Sequence, residues 1–431
     1  MLRTLHDHDC SFRKLDWFAT QFRTAGMLVI LMATCIVQAK AADQWPGFRG
    51  LDLNATVPAA KMPASLDRDA AKWTYDLKQY DVGSMAIQDG TIYTLASASD
   101  GQAVRLIALD LQTGTQKWEQ TLPQAKNHLH SRNTPASSTP ATDADFVYVA
   151  HSDREHTWVR CFDHQGNLIW KRDLGLAQSQ HGFGTSPTVH GDVVLLNFSQ
   201  QAEQLREGKP GTSKFIALQR STGKTQWETP LASTRVCYGL PVVRDGVVYG
   251  ANTGNGIFAL SLETGKLLWD LPVFSKRCVS TAMIADDLVM GTSGSGGGGN
   301  HLVAVRVPKN ANEQPTEVYR IERGAPYVPT SIIHQGLLFM IDDRGIASCY
   351  KAKSGDELWK QRIGGSFGAS PVLLGNQLLM INLSGEATVV EASEQGKVDQ
   401  KIDLGGPVGA TPAYADGLLL LRVGSELRCH Q

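Results

Sequence analysis

Neither sign of charge dominates this sequence of 431 residues: Lys and Arg number 41, Asp and Glu 42, for a formal charge of −1. That balance lacks the basic excess that phosphate-backbone binding requires, so nucleic acid is not an expected partner. Long apolar runs are missing too. No stretch approaches the ~20 residues of a membrane span, so no transmembrane segment is expected in the mature chain. Cysteine is sparse, with 7 in all and no CxxC or Cys/His metal spacing, which argues against a disulfide-stapled scaffold or a metal centre. No Ser/His/Asp or paired-carboxylate constellation appears by spacing. The glycine-rich stretch 291–300 lacks the Lys-Ser/Thr ending of a phosphate cradle and reads as a hairpin loop. No catalytic residue and no metal ligand is therefore named.

Glycine is what the chain has in quantity, 42 residues without collagen periodicity. Glycine at that frequency implies many turns, and so many short strands.

The N-terminus has the order of a secretory signal peptide. Arg3, Arg13, Lys14 and Arg23 precede the apolar run Met27 to Val37, and Ala39-Lys40-Ala41 places small residues at −3 and −1. Cleavage after Ala41 is expected, giving an exported protein of the periplasm or cell envelope. Cys161, Cys237, Cys278, Cys349 and Cys429 remain after cleavage.

One unit then repeats. IALDLQTGTQKW ends at Trp118, FIALQRSTGKTQW at Trp227, IFALSLETGKLLW at Trp269 and ASCYKAKSGDELW at Trp359. VRCFDHQGNLIW, ending at Trp170, is a weaker copy, and two eroded copies precede Tyr319 and Ile402. In each, an alternating apolar strand meets a polar turn such as Asp110-Thr113-Gly114, and a second strand carries the Trp. A hairpin lies upstream, as in LPVVRDGVVYGA around Asp245-Gly246. Four strands in roughly 40–45 residues make one propeller blade.

Eight upstream hairpins are present, the last in a blade that the chain ends before finishing. Its missing outer strand is supplied by AKWTYDL, with Trp73 in the repeat position and no hairpin of its own. The expectation is an all-β, eight-bladed propeller over 71–431, closed by an N-terminal strand, with an arm at 42–70. Seven blades is the alternative. Trp73, Trp118, Trp170, Trp227, Trp269 and Trp359 share one position and are expected to pack between blades. Cys161, Cys349 and Cys429 fall where other units place Ala108, Ala217 and Ala259, a small buried site.

These AlDxxTGxxxW units joined by SP-x4-Gly hairpins resemble the PQQ-like family of quinoprotein-type propellers over essentially all of 71–431. The arm Trp45-Pro46-Gly47-Phe48-Arg49-Gly50 resembles the WPxFRG lead-in of exported PQQ-like proteins of planctomycete-type bacteria. The resemblance implies one of two functions. One branch comprises quinone-dependent alcohol and sugar dehydrogenases, which hold PQQ over a Trp floor with a calcium ion and often cover it with a disulfide of adjacent cysteines. The other, similar to the BamB-type outer-membrane assembly propeller, has the ring and no cofactor. This sequence has no adjacent cysteines and lacks the long loops of the dehydrogenases. The expectation is a non-catalytic binding or assembly scaffold without cofactor; the alternative is an oxidoreductase using PQQ with Ca.

Alignment on the hairpins puts Thr134, His181, Arg235 and Lys276 in one register, and Cys237 and Cys278 in another. His130, Arg132 and Arg277 lie nearby. His181, Arg235, Lys276, Arg277, His130 and Arg132 are expected to ring one mouth of the channel, where they suit an envelope protein or a small anionic or sugar-like ligand. Later units carry Ala325, Gly365 and Gly406 at the same register, so the ring is polarised. Cys237 and Cys278 stand one repeat apart, either as separate core residues or facing each other across blades.

Overall fold

The repeat pattern becomes a ring of eight four-stranded antiparallel blades in a computed structural model that describes residues 44–431 except 154, 206, 207 and 311. The expected signal peptide, 1–41, lies outside the described residues. Blades 1 to 7 span 85–123, 141–173, 188–230, 242–271, 283–321, 332–362 and 372–403. Blade 8 combines 413–430 with the strand Trp73–Asp76, which pairs antiparallel with Glu426–His430. Helix is confined to one 3-10 turn, Arg68–Ala70, so no described helix is long and apolar enough to cross a membrane.

The hairpins form for the reason their sequences suggest. Asp245 and Gly246 both take positive φ, 53° and 73°, the two-residue turn whose twist matches flanking strands. At the outer turn, Asp110 caps its own loop by accepting the Gln112 and Thr113 N–H groups at 3.0 Å.

The repeated Trp and the repeated Gly explain each other. Five of the six, Trp73, Trp118, Trp170, Trp227 and Trp359, reach the outer turn of the next blade and donate the indole N–H there. Trp118 bonds the His164 carbonyl at 2.8 Å, Trp170 the Arg220 carbonyl at 2.8 Å and Trp227 the Leu262 carbonyl at 2.9 Å. The ring lies on that turn's glycine. A Cβ on Gly223 would stand 2.5 Å from Trp170, and one on Gly265 2.5 Å from Trp227. Behind the Trp, its cross-strand partner is Ala108, Cys161, Ala217, Ala259, Cys349 or Cys429, so the small-residue reading of those cysteines holds.

The core consequently lies between blades. Separate apolar clusters fill the successive interfaces, for example Tyr148, Ala150 and Trp170 with Val194 and Leu196 between blades 2 and 3. The largest joins blades 7, 8 and 1 and takes in the arm through Trp45, Ala55 and Leu66. This is the seam where the strand Trp73–Asp76 completes the last blade. A fully buried ion pair, Arg422 to Asp81 at 2.9 Å, crosses it, and Asp81 also accepts Ser97 N–H and Oγ–H. Arg422 Nη1 also donates to the Gly83 and Leu95 carbonyls, while its Nε has no partner; the paired charge and these bonds offset most of the burial cost.

The arm spans the channel at the face opposite the loops that link one blade to the next. Trp45 bridges Ile87 of blade 1, Thr142 N–H bonds the Pro46 carbonyl, and Thr56–Val57 adds a parallel strand to blade 7. Arg49 is fully buried between blades 6 and 7. Its guanidinium donates to five backbone carbonyls: Leu53, Asn54, Thr330, Ser331 and Pro371. Burial lowers Arg49 to about 9, still a cation at neutral pH. The WPGFRG motif is thus a plug that closes one end of the channel.

Candidate functional site

With one end closed, the channel becomes a cup of about 530 Å³ open at the other face. Phe48 of the arm forms its floor. Above the floor runs a waist of hydroxyls at one register: Thr139, Ser186, Thr281, Thr330, Ser370 and Thr411. Each oxygen accepts a backbone N–H from the preceding blade, such as Thr139 N–H to Ser186 at 2.8 Å and Thr281 N–H to Thr330 at 3.0 Å. Each hydroxyl keeps its own hydrogen to donate. Leu240 of blade 4 interrupts the circle.

The mouth carries the charge. Arg277, from the segment leading into blade 5, is 7% exposed, and its Nη2 donates to the side-chain oxygens of Gln180 and Gln201. Its Nε is buried without an acceptor, and no carboxylate pairs with it among the described residues. Arg132, half-exposed, has Asp343 Oδ1 at 3.9 Å. Asp343 stands behind the wall, where burial raises its carboxyl above the usual range while the Tyr327 N–H, at 2.7 Å, opposes the rise. His130 and His181 meet edge to face with ring centres 4.9 Å apart. Tyr238 donates to the Gly182 carbonyl at 3.0 Å, and burial pushes its phenol up to about 12, so it stays neutral.

Four of the six residues expected at the mouth, His130, Arg132, His181 and Arg277, line this cup. Arg235 and Lys276 do not. Arg235 turns to Glu203 at 2.7 Å, and Lys276 donates to the Gly298 carbonyl at 2.7 Å, bracing the glycine-rich loop. Register fixed where their backbones lie, but a carboxylate and a carbonyl from non-repeating loops capture both side chains. Tyr327 shares the register of Cys237 and Cys278, whereas Tyr238, Asp343 and the hydroxyl waist went unnamed in the sequence. The waist had a signal, a Ser or Thr at one register of seven hairpins once Ser84 is counted with those six.

The wall of the cup has two guanidinium groups and two imidazoles, and no carboxylate or tryptophan among the described residues. Its open hydrogen-bonding capacity lies on the donor side, which suits a ligand rich in acceptors and bearing negative charge. A calcium-bound quinone does not fit it. Calcium takes oxygen ligands led by carboxylates, and none lines the cup among the described residues.

A family model described as outer membrane protein assembly factor BamB matches residues 64–238, 155–341 and 342–428. Among curated sequences, none matches the chain. Solved structures similar to it include a europium-containing methanol dehydrogenase, 14% identical with a TM-score of 0.64, covering 90% of this chain and 91% of that one. BamB from Moraxella catarrhalis is 15% identical with a TM-score of 0.58, over 83% and 96% of the two chains. Quinohemoprotein alcohol dehydrogenase from Comamonas testosteroni is 13% identical with a TM-score of 0.63, over 91% and 81%. Identities this low carry the fold alone.

Proposed function

Since the chain belongs to the PQQ-like propeller family described by outer membrane protein assembly factor BamB, we propose that it is an exported, non-catalytic binding module of the cell envelope. Its cup receives the acidic group of a ligand or of a partner protein. One observation carries the reading: Arg277 is buried on a wall without carboxylates. An unpaired buried cation costs stability, and folding alone gives no reason to keep it there. A bound carboxylate would supply the missing counter-ion.

Two additions to the full chain test this. Citrate, as an acidic probe, should bind with saturable heat. PQQ with Ca²⁺, followed by dye reduction with alcohols and sugars, should give no turnover. Quinone retained with turnover would replace the binding reading by the oxidoreductase one, and absence of citrate binding would remove its premise.

A further inference from the structure

Cys237 and Cys278 occupy equivalent positions before blades 4 and 5, and the fold brings them together. Both are fully buried. The Cys278 N–H donates to Cys237 Sγ at 3.3 Å, and the Tyr238 N–H donates to the Cys278 carbonyl at 3.0 Å. The two backbones therefore run side by side at a separation compatible with a disulfide. Cys161, Cys349 and Cys429 differ, each lying opposite a Trp in a blade of its own.

The surroundings divide the roles of the two sulfurs. Burial raises both thiols. At Cys237, hydrogen bonds from the Cys278 thiol, the Cys278 N–H and Thr253 override burial and bring it down to about 6, while Cys278 is held high. In the docked ring Cys237 is thus the lower and Cys278 the higher of the two thiols.

We propose that Cys237 and Cys278 are a redox-active pair that closes to a disulfide between blades 4 and 5, with a disulfide-bearing molecule as oxidant. The Cys237 thiolate attacks one sulfur of the oxidant, whose S–S bond breaks and whose other sulfur leaves. The Cys278 sulfur then attacks Cys237 Sγ and expels the second oxidant sulfur. Two protein thiols are oxidised, one disulfide is reduced, and the two protons end on the thiols of the reduced oxidant. Because both sulfurs are buried in the finished ring, exchange takes place before blades 4 and 5 dock or in their transient openings. The cross-link would fix the cup from behind, since Cys237 precedes Tyr238 and Cys278 follows Arg277. It stands independently of the anionic ligand.

The test is to refold the full chain from guanidinium in oxidised and reduced glutathione, quench with N-ethylmaleimide in denaturant, and digest for mass spectrometry. The expected product is a peptide joining Cys237 to Cys278, two hydrogens lighter than the separate thiols, with Cys161, Cys349 and Cys429 alkylated. The oxidised chain should melt roughly 5 °C above the reduced one, and Cys237→Ser should abolish both the linked peptide and the redox dependence. If the chain does not refold, the same digest of protein purified without reductant from an oxidising compartment reads the same outcomes. Recovery of both cysteines as separate adducts at every oxidant ratio, in a chain with its native melting transition, would overturn the proposal.

Discussion

The outer rim and the channel mouth solve different problems with the same repeat. At the rim, five interfaces use one device, an indole laid on the glycine of the next turn, and Tyr319 lies on Gly355 in the same way, because these interfaces present the same packing demand. At the mouth, equivalent positions diverge: charged groups project from the segments leading into blades 2 to 5, while Ala325, Gly365 and Gly406 stand at the matching register of later units. Packing imposes no such asymmetry. Where repeats agree, stability explains them; where they diverge inside a cavity, a ligand is the better explanation.

Removing the seam should produce the largest effect. A chain beginning at Val82 loses the closing strand, the arm and Asp81, which leaves Arg422 buried without its partner. It should aggregate or lose cooperative melting, as light scattering and calorimetry would show; a normal transition would contradict the closed-ring account.

Trp227→Ala tests the rim. It should cost about 3–5 kcal/mol in denaturant unfolding, because the indole fills the joint between blades 3 and 4 and bonds the Leu262 carbonyl. A cost near zero would make the repeated Trp ornamental.

Acid separates core from mouth by a different route. Burial lowers His151 to about 3 and His190 to about 4, and neither ring nitrogen of His151 has a partner. Both are neutral in the folded chain at pH values where the unfolded chain is protonated. Their contribution is therefore complete above about pH 6.5 and is lost as pH falls toward 4, on the order of 2–3 kcal/mol for His151. His151→Phe should flatten the decline of Tm over that interval.

The smallest effects belong to Arg235 and Lys276. Changing both to Ala should shift stability by about 1 kcal/mol or less, since a partly solvated ion pair and a single loop contact contribute little. Citrate binding should persist, because neither side chain reaches the cup.

These cases also show what the sequence could reveal. Blade number, ring closure and the Trp positions were legible because each is written several times at one spacing. The arm was not. Arg49 finds its carbonyls at Thr330, Ser331 and Pro371, nearly 300 residues away, and a contact made once leaves no periodic trace. The mouth was half legible for a related reason. Hairpin register fixes backbone height in the channel, but the direction of Arg235 depends on Glu203 in a loop that no other blade repeats.

Arg277 decides the central claim, that the mouth is a binding site mounted on a ring that does not need it. The direct measurement is the Tm of the full chain and of Arg277→Met, each with and without citrate. The account predicts that the variant melts with or above the parent, because an unpaired buried charge is gone, and that citrate raises the Tm of the parent alone. A variant that melts well below the parent, or one that citrate still stabilises fully, would show that Arg277 serves the ring and that the cup is not the site.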